Sequence, residues 1–485
     1  MASITTEVAV VGGGLGGIAL ALRLKHERVD FLVLDKADGV GGTWRANTYP
    51  GAACDIPGHL YWYDLATVPA DEQPDWERVY PTQREILTSI EALVQARAID
   101  RHVRSGVEVL EAQWRGDAWH LRTAGGDRIV AELLVTATGQ LSRPALPDVP
   151  GRDSFAGPAF HTARWDHEID LRGKRVACIG AAASAVQCIP AIATVADRVS
   201  VFQRSPNHLL PRLDRSYTAD ERRLFRDPAW RATSRQTCYE WQEALYRAFR
   251  TGVTGSDAQG YLDTAREHLA AAVSCPELRA KLWPEFAFGC KRPLICDDFY
   301  PTLMRDNVEL VTDRIDRIGP PGVYTRNEHY PVDVIIYATG FETQSFVGSL
   351  AIHGLTATLA EAWHSGVVSY NGVMVTGFPN MFMIYGPYSG LGHNSVLLTM
   401  ENQADFIMQA RRALRERGRR VVDVSYAAML AADDRIATRV GSHVWGRGCA
   451  SWWKDANGRV TAIWPGDVAD HRAHLQLDPA ALTWR

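Results

Sequence analysis

The chain opens on an apolar run, Val8-Ala9-Val10-Val11, that stops at a cluster of glycines, Gly12-Gly13-Gly14 and Gly16-Gly17. Apolar residues then recur at helical spacing through Leu24, and a second short apolar run, Phe31 to Leu34, ends at Asp35. The same grammar returns far downstream. Val176-Ala177-Cys178-Ile179 leads into Gly180, then small residues from Ala181 to Ala185 and a helical pattern. The next run, Val199 to Phe202, ends in Gln203-Arg204-Ser205. A continuous apolar strand, a tight turn, an amphipathic helix and a second buried strand make a βαβ unit. The pattern predicts an α/β protein with two Rossmann-like dinucleotide-binding folds.

Between the two units, Gly106 to Thr136 alternates in the manner of antiparallel strands. Turn clusters at Arg115-Gly116-Asp117 and Gly125-Gly126-Asp127 interrupt it. From Thr218 the pattern turns helical, with Thr218 and Glu221 in capping-box spacing. Cys238, Trp241, Leu245 and Phe249 then share one helical face, and a further helical stretch covers Leu262 to Ser274. This reads as a helical insertion, set at 211–288. The first nucleotide domain is expected to be discontinuous, 1–150 plus 343–485, and the second to cover 151–210 plus 289–342.

Composition narrows the class. Of 485 residues, 46% are hydrophobic and 22% charged, so a large core is available and a disordered chain is excluded. Lys+Arg is 52 against Asp+Glu 56, a net charge of -4 that offers no polybasic surface to nucleic acid or an anionic membrane. The eight cysteines form no CxxC, which argues against zinc knuckles and dithiol redox motifs. A chain this long needs no disulfide, so a reducing cytoplasm fits. Its most apolar stretch, Val8 to Leu22, is 15 residues with five glycines, too short to span a bilayer. No charged n-region or small-residue cleavage site accompanies it.

Gly12-x-Gly14-x-x-Gly17 between strand and helix, with Asp35 ending the next strand, has a specific physical sense. Gly12 permits the turn, Gly14 lets the backbone approach a pyrophosphate, and Gly17 permits close helix–strand packing. The helix N-terminus stabilises phosphate, and Asp35 can accept from ribose hydroxyls. The N-terminal position favours FAD, although the spacing alone does not separate FAD from NAD. In the second unit, Gly180-x-Ala182-x-x-Ala185 departs from the pattern, because the Ala182 methyl stands where a pyrophosphate approaches. The next strand ends without an acid, in Arg204 and Ser205, a pair suited to a 2′-phosphate and hence to NADPH.

Longer motifs add a family resemblance. Gly41-Gly42-Thr43-Trp44, followed by Tyr49-Pro50-Gly51 and Asp55, resembles the long fingerprint of type I Baeyer–Villiger monooxygenases. Phe155-x-Gly157-x-x-x-His161-x-x-x-Trp165-Asp166 resembles their short fingerprint. Ala137-Thr138-Gly139-Gln140, Asp333 with Ala338-Thr339-Gly340-Phe341, Lys291-Arg292 and Gly392-His393-Asn394-Ser395 agree with it. The resemblance implies an FAD- and NADPH-dependent enzyme that traps O2 as a C4a-peroxyflavin and converts a ketone to an ester or lactone. It also implies a catalytic Arg292 oriented by Asp55, and FAD contacts at Thr43, Trp44, Asp55, Tyr61, Val107, Gln140 and Ser395. NADPH contacts are implied at Lys291 and, by position, at Ser184 and Gln187. A permanent cation suits a reaction that develops negative charge, and Arg cannot surrender its proton. His161 and Trp165 are read as linker residues that keep the two nucleotide folds in register.

Three other functions are weighed. An N- or S-oxygenating flavin monooxygenase shares both nucleotide folds, but Asp55 in its fingerprint and Arg292 argue against it. A disulfide reductase lacks its CxxC. A non-catalytic nucleotide-binding redox sensor stays open, and so do the identity of the ketone, the oligomeric state and the role of the Trp-rich stretch from Val444 to Gly466.

Overall fold

The structure is a computed structural model that describes residues 3–251, 255–448 and 451–485. Two sheets organise it, one mixed and one parallel. In the first, Ser3–Val11 lies between Phe31–Leu34 and Arg128–Thr136, parallel to both. Val8 to Val11 pair residue for residue with Phe31 to Leu34, so Gly12 and Asp35 leave the sheet side by side at its carboxyl edge. The antiparallel strands Val109–Arg115, Ala118–Thr123 and Arg128–Thr136 extend it as the alternation predicts. Two late segments also join this sheet: Ala351–His353 pairs with Val109–Arg115, and Met381–Met383 with Arg128–Thr136. The helix Leu15–His26 packs against the long helix Val396–Glu416 over a core of buried aliphatic side chains.

The second sheet is parallel throughout. Its order is Val308–Val311, Arg198–Phe202, Arg175–Ile179, Val334–Tyr337 and Ala159–His161. Every residue of Val334–Tyr337 is buried, as expected of a strand covered on both faces. Gly180 leaves this sheet as Gly12 leaves the first. Each has a left-handed φ, +119° and +117°, and a Cβ on either would fall 2.3 Å from a carbonyl oxygen, that of Ala338 or Ala137. His161 is buried and accepts a hydrogen bond at Nδ1 from the Ala163 N–H, 3.0 Å away, beside the ring of Phe341.

Helices fill the expected insertion: Ala219–Leu224, Pro228–Thr251, Ser256–Ala272 and Pro276–Leu282. Thr218 and Glu221 form the capping box that their spacing predicts. The face shared by Cys238, Trp241, Leu245 and Phe249 is only partly buried. Trp241 is 55% exposed, and the inward stripe of Pro228–Thr251 runs instead through Arg231, Arg235, Gln242, Tyr246 and Phe249. These positions keep the 3.6-residue period, but three of them are polar, which hid the stripe from a reading based on apolar residues. Arg235 shows why a cation sits there. Its Nη1 donates to the carbonyl oxygens of His59, Leu60 and Trp62 at 3.2, 3.3 and 2.9 Å, so the helix fastens the loop that follows Asp55.

Among the described residues no helix is long and apolar enough to cross a membrane. Among the described residues six cysteines are free, whereas Cys290 is disulfide-bonded.

Candidate active site

The carboxyl edges of both sheets open on one cavity of about 2670 Å³. The first nucleotide turn supplies Gly12, Gly14 and Asp35 to its wall, joined by Thr43, Trp44, Asp55, Tyr61, Val107 and Gln140. Asp35 braces the turn: its Oδ2 accepts from Gly13 N–H at 2.6 Å and its Oδ1 from Ala37 N–H at 2.8 Å. The Tyr61 hydroxyl accepts from the Trp44 indole N–H at 3.2 Å. Gly17 lies behind the wall, and a Cβ there would sit 1.9 Å from the Gly12 carbonyl oxygen, so its role is packing.

Gly14 differs from Gly12 and Gly17. Its backbone is extended, φ -77° and ψ -173°, a conformation any residue adopts. A Cβ there would meet nothing closer than the Gly42 Cα at 3.6 Å. Neither strain nor packing demands this glycine, so what its missing side chain leaves open is space over the helix N-terminus. Gln140 points the same way. It is 2% exposed and neither amide atom has a partner among the described residues, a costly arrangement unless a ligand completes it. The open turn, the unpaired amide and Asp35 fit an adenine dinucleotide such as FAD.

The second turn brings Gly180, Ala182, Ser184, Gln187, Arg204 and Ser205 to the same cavity, with Lys291 beside Ser205. Ala185 is buried in the helix Ala183–Ala193 and packs rather than binds. The Lys291 ammonium donates to Ser205 Oγ at 2.8 Å and lies 4.6 Å from the centre of the Phe286 ring. Burial, and then the positive charge of Arg204, pull the Lys291 pKa below its ordinary value. Two cations and a hydroxyl with no acid among them form a site that an anion such as a 2′-phosphate relieves. Gln187 is committed differently. Its Oε1 accepts from the Tyr49 hydroxyl at 2.9 Å and its Nε2 donates to the Ala53 carbonyl at 3.0 Å. It therefore ties the second nucleotide helix to the loop that carries Asp55.

Arg292 and Asp55 meet in this cavity although 237 residues separate them in the chain. Arg292 Nε donates to Asp55 Oδ2 at 2.8 Å, and Nη1 donates to the Leu391 carbonyl oxygen at 3.0 Å. Burial works against the guanidinium charge, but the field and hydrogen bond of Asp55 outweigh it and hold its proton more firmly than usual. Two anchors fix the plane of the fork and leave the remaining N–H groups free for the cavity.

A family model described as pyridine nucleotide-disulphide oxidoreductase matches residues 9–219. A Baeyer-Villiger monooxygenase of Streptomyces coelicolor is 38% identical over 96% of this chain and 90% of its own length. Another, from Pseudomonas aeruginosa, is 33% identical over 98% of this chain and 90% of its own. The chain belongs to the Baeyer–Villiger monooxygenase family. The crystal structure of OTEMO in complex with FAD and NADP superposes with a TM-score of 0.90 at 25% identity, covering 100% of both chains.

In this Baeyer–Villiger monooxygenase the Gly392–Ser395 run ends where expected, since Ser395 precedes the helix Val396–Glu416. The residues that reach the cavity there are Asn394 and Val396. Ser395 is wholly buried, and its hydroxyl has no partner among the described residues. Sequence reasoning missed Phe286, the Leu391 carbonyl and Tyr385. Only Tyr385 carried a legible signal, as it follows the apolar run Met381 to Ile384 and precedes Gly386-Pro387, another strand end at a turn. Ser451, Trp452 and Trp453 also line the cavity, which gives the Trp-rich stretch a place in its wall.

Proposed function

We propose that this chain uses FAD, NADPH and O2 to insert one oxygen atom beside the carbonyl of a small-molecule ketone, yielding an ester or lactone. The observation that carries this reading is the Arg292 guanidinium, fixed by Asp55 and Leu391 in the cavity shared by two nucleotide turns. FAD, when bound, supplies hydride acceptance from NADPH and electron transfer to O2. The first turn, Asp35, Thr43, Trp44, Tyr61, Val107 and Gln140 would hold it, with Ser395 behind the wall. The second turn, Ser184, Arg204, Ser205 and Lys291 would hold NADPH.

Addition of an oxygen nucleophile to a ketone carbonyl leaves negative charge on the former carbonyl oxygen. Arg292 stabilises that charge as a preorganised cation, most strongly where the cofactors exclude water. Asp55 orients the fork and keeps it charged. Residues 1–150 with 343–485, 151–210 with 289–342, and 211–288 are the FAD-binding, NADP-binding and inserted units of this reading. The need for NADPH favours a cytoplasmic setting.

The test is a mass-spectrometric screen for +16 products from cyclic, aryl and polyketide-like ketones with NADPH and O2. Arg292→Ala is expected to keep FAD and lose oxygenation by ~10²–10³ or more. Asp55→Ala follows in milder form, and the double variant is little worse than Arg292→Ala alone, as for residues acting as a unit. Full ketone turnover by Arg292→Ala would overturn the mechanism.

A further inference from the structure

Tyr385 has a φ of +61°, the left-handed region that a side chain enters at a cost of about 1–2 kcal/mol. The surroundings hold it there. Ile384 N–H donates to the Thr136 carbonyl at 2.8 Å. Tyr385 N–H donates to Gln403 Oε1 at 2.7 Å, and the amide of the buried Gln403 donates on to Ser389 Oγ at 2.7 Å. Tyr388, also left-handed in the same loop, has its hydroxyl bound between Asp433 and Arg459. Its phenol is accounted for by protein partners.

Tyr385 is different. Its side chain lines the cavity that contains Arg292. Three tyrosines line that wall, and Tyr49 and Tyr61 both bond to other side chains, Gln187 and Trp44. The Tyr385 hydroxyl has no hydrogen-bond partner among the described residues, and it is not one of the sealed, unpaired atoms. It therefore opens on the cavity. Burial pushes its pKa up to about 12, with the Arg292 field pulling the other way, so the O–H keeps its proton at any working pH. A neutral donor and a permanent cation line one cavity and feel each other's field, the pairing that a carbonyl oxygen gaining negative charge requires.

We propose that Tyr385 is a catalytic residue whose phenol O–H donates a hydrogen bond to the carbonyl oxygen of the ketone, alongside Arg292. This rests on the monooxygenase reading and adds to it a second donor on the reacting oxygen. Tyr385→Phe keeps the ring and the strained backbone and removes only the hydroxyl. Its FAD content and its rate of flavin reduction by NADPH are expected to match wild type. Ketone kcat and kcat/KM are expected to fall together, by on the order of 10², as for a transition-state contact.

An independent readout needs no turnover. Acetophenone labelled with ¹³C at the carbonyl is added to oxidised holoenzyme without NADPH, and its C=O stretch is read by isotope-edited infrared spectroscopy. The stretch is expected below its apolar-solvent value in wild type and nearer that value in Tyr385→Phe. The same stretch in both proteins, or an unshifted band in wild type, would overturn the proposal. So would equal losses in FAD binding and flavin reduction, which would make the residue structural. A lowered stretch that depends on Tyr385, in a protein that oxygenates no ketone, would fail the monooxygenase reading alone.

Discussion

Gly14→Ala should separate ligand binding from folding at the first nucleotide turn. At this position the backbone is extended and a new Cβ meets its nearest protein atom at 3.6 Å, an ordinary contact. The apoprotein should therefore fold as wild type does, or gain ~0.4–1 kcal/mol from a stiffer unfolded chain. The methyl group fills the space over the helix N-terminus and prevents close approach of a phosphate. Loss of one charge-assisted hydrogen bond removes ~1.5–3 kcal/mol, so FAD should bind roughly ten- to a hundredfold more weakly. Gly17→Ala is the contrast: its Cβ would lie 1.9 Å from the Gly12 carbonyl oxygen, and the strand and helix must separate. It should cost enough stability to leave little soluble protein. Thermal melting of the apoproteins reads the folding, and quenching of FAD fluorescence on reconstitution reads the affinity. A Gly14→Ala protein that melts normally and holds FAD as tightly as wild type would refute the assignment of that space to a ligand.

Other perturbations follow from the same geometry. Arg204→Ala should raise the KM for NADPH about tenfold or more while NADH turnover stays nearly constant, because a charged hydrogen bond contributes ~1.5–3 kcal/mol; equal losses for both coenzymes would make Arg204 structural. The Ala182 methyl is exposed on the cavity and its backbone is extended, φ -101° and ψ -162°, so Ala182→Gly should tighten NADPH binding measured by titration, and no gain would count against the crowding argument. The Asp423 carboxyl is pushed from 3.8 to about 6, chiefly by burial. The folded chain thus holds a proton that the unfolded chain releases between about pH 4 and 6, and this group favours folding below that window and opposes it as pH rises through 6. Asp423→Asn should remove the opposition, stabilising the protein by about 3 kcal/mol more at pH 8 than at pH 4 in urea unfolding; a pH-independent difference would contradict it.

Both nucleotide turns could be read from the sequence because their geometry depends on local residue types. Gly12 and Gly180 need a left-handed φ, and few residues other than glycine take it readily. The strand ends at Asp35 and Arg204 follow from short apolar runs. What the pattern could not reveal were residues whose role is created by distant neighbours. Gln187, expected at the coenzyme, lines the cavity but also bonds Tyr49 and Ala53. Trp241 shares a face with Phe249 yet lies outside, and buried Arg235 finds three carbonyl oxygens that no periodicity announces. Ser395 was one residue away from Asn394, the neighbour that reaches the cavity, a distinction set by how the helix begins. Arg292 and Asp55 were legible only through motif resemblance, since nothing local pairs residues so far apart.

The order of strands in the two sheets has a consequence for how the polypeptide leaves the ribosome. The second sheet draws all five strands from residues 159–337, so it can close once that stretch has emerged. The first sheet begins at Ser3 yet waits for Ala351–His353 and Met381–Met383, and its helix Leu15–His26 waits for Val396–Glu416. At ~5–20 residues per second, the N-terminal strands stay without their full complement for roughly twenty to eighty seconds. Of the two large sheets, the one begun first is closed last, and during that interval its apolar strands stay open to a chaperone.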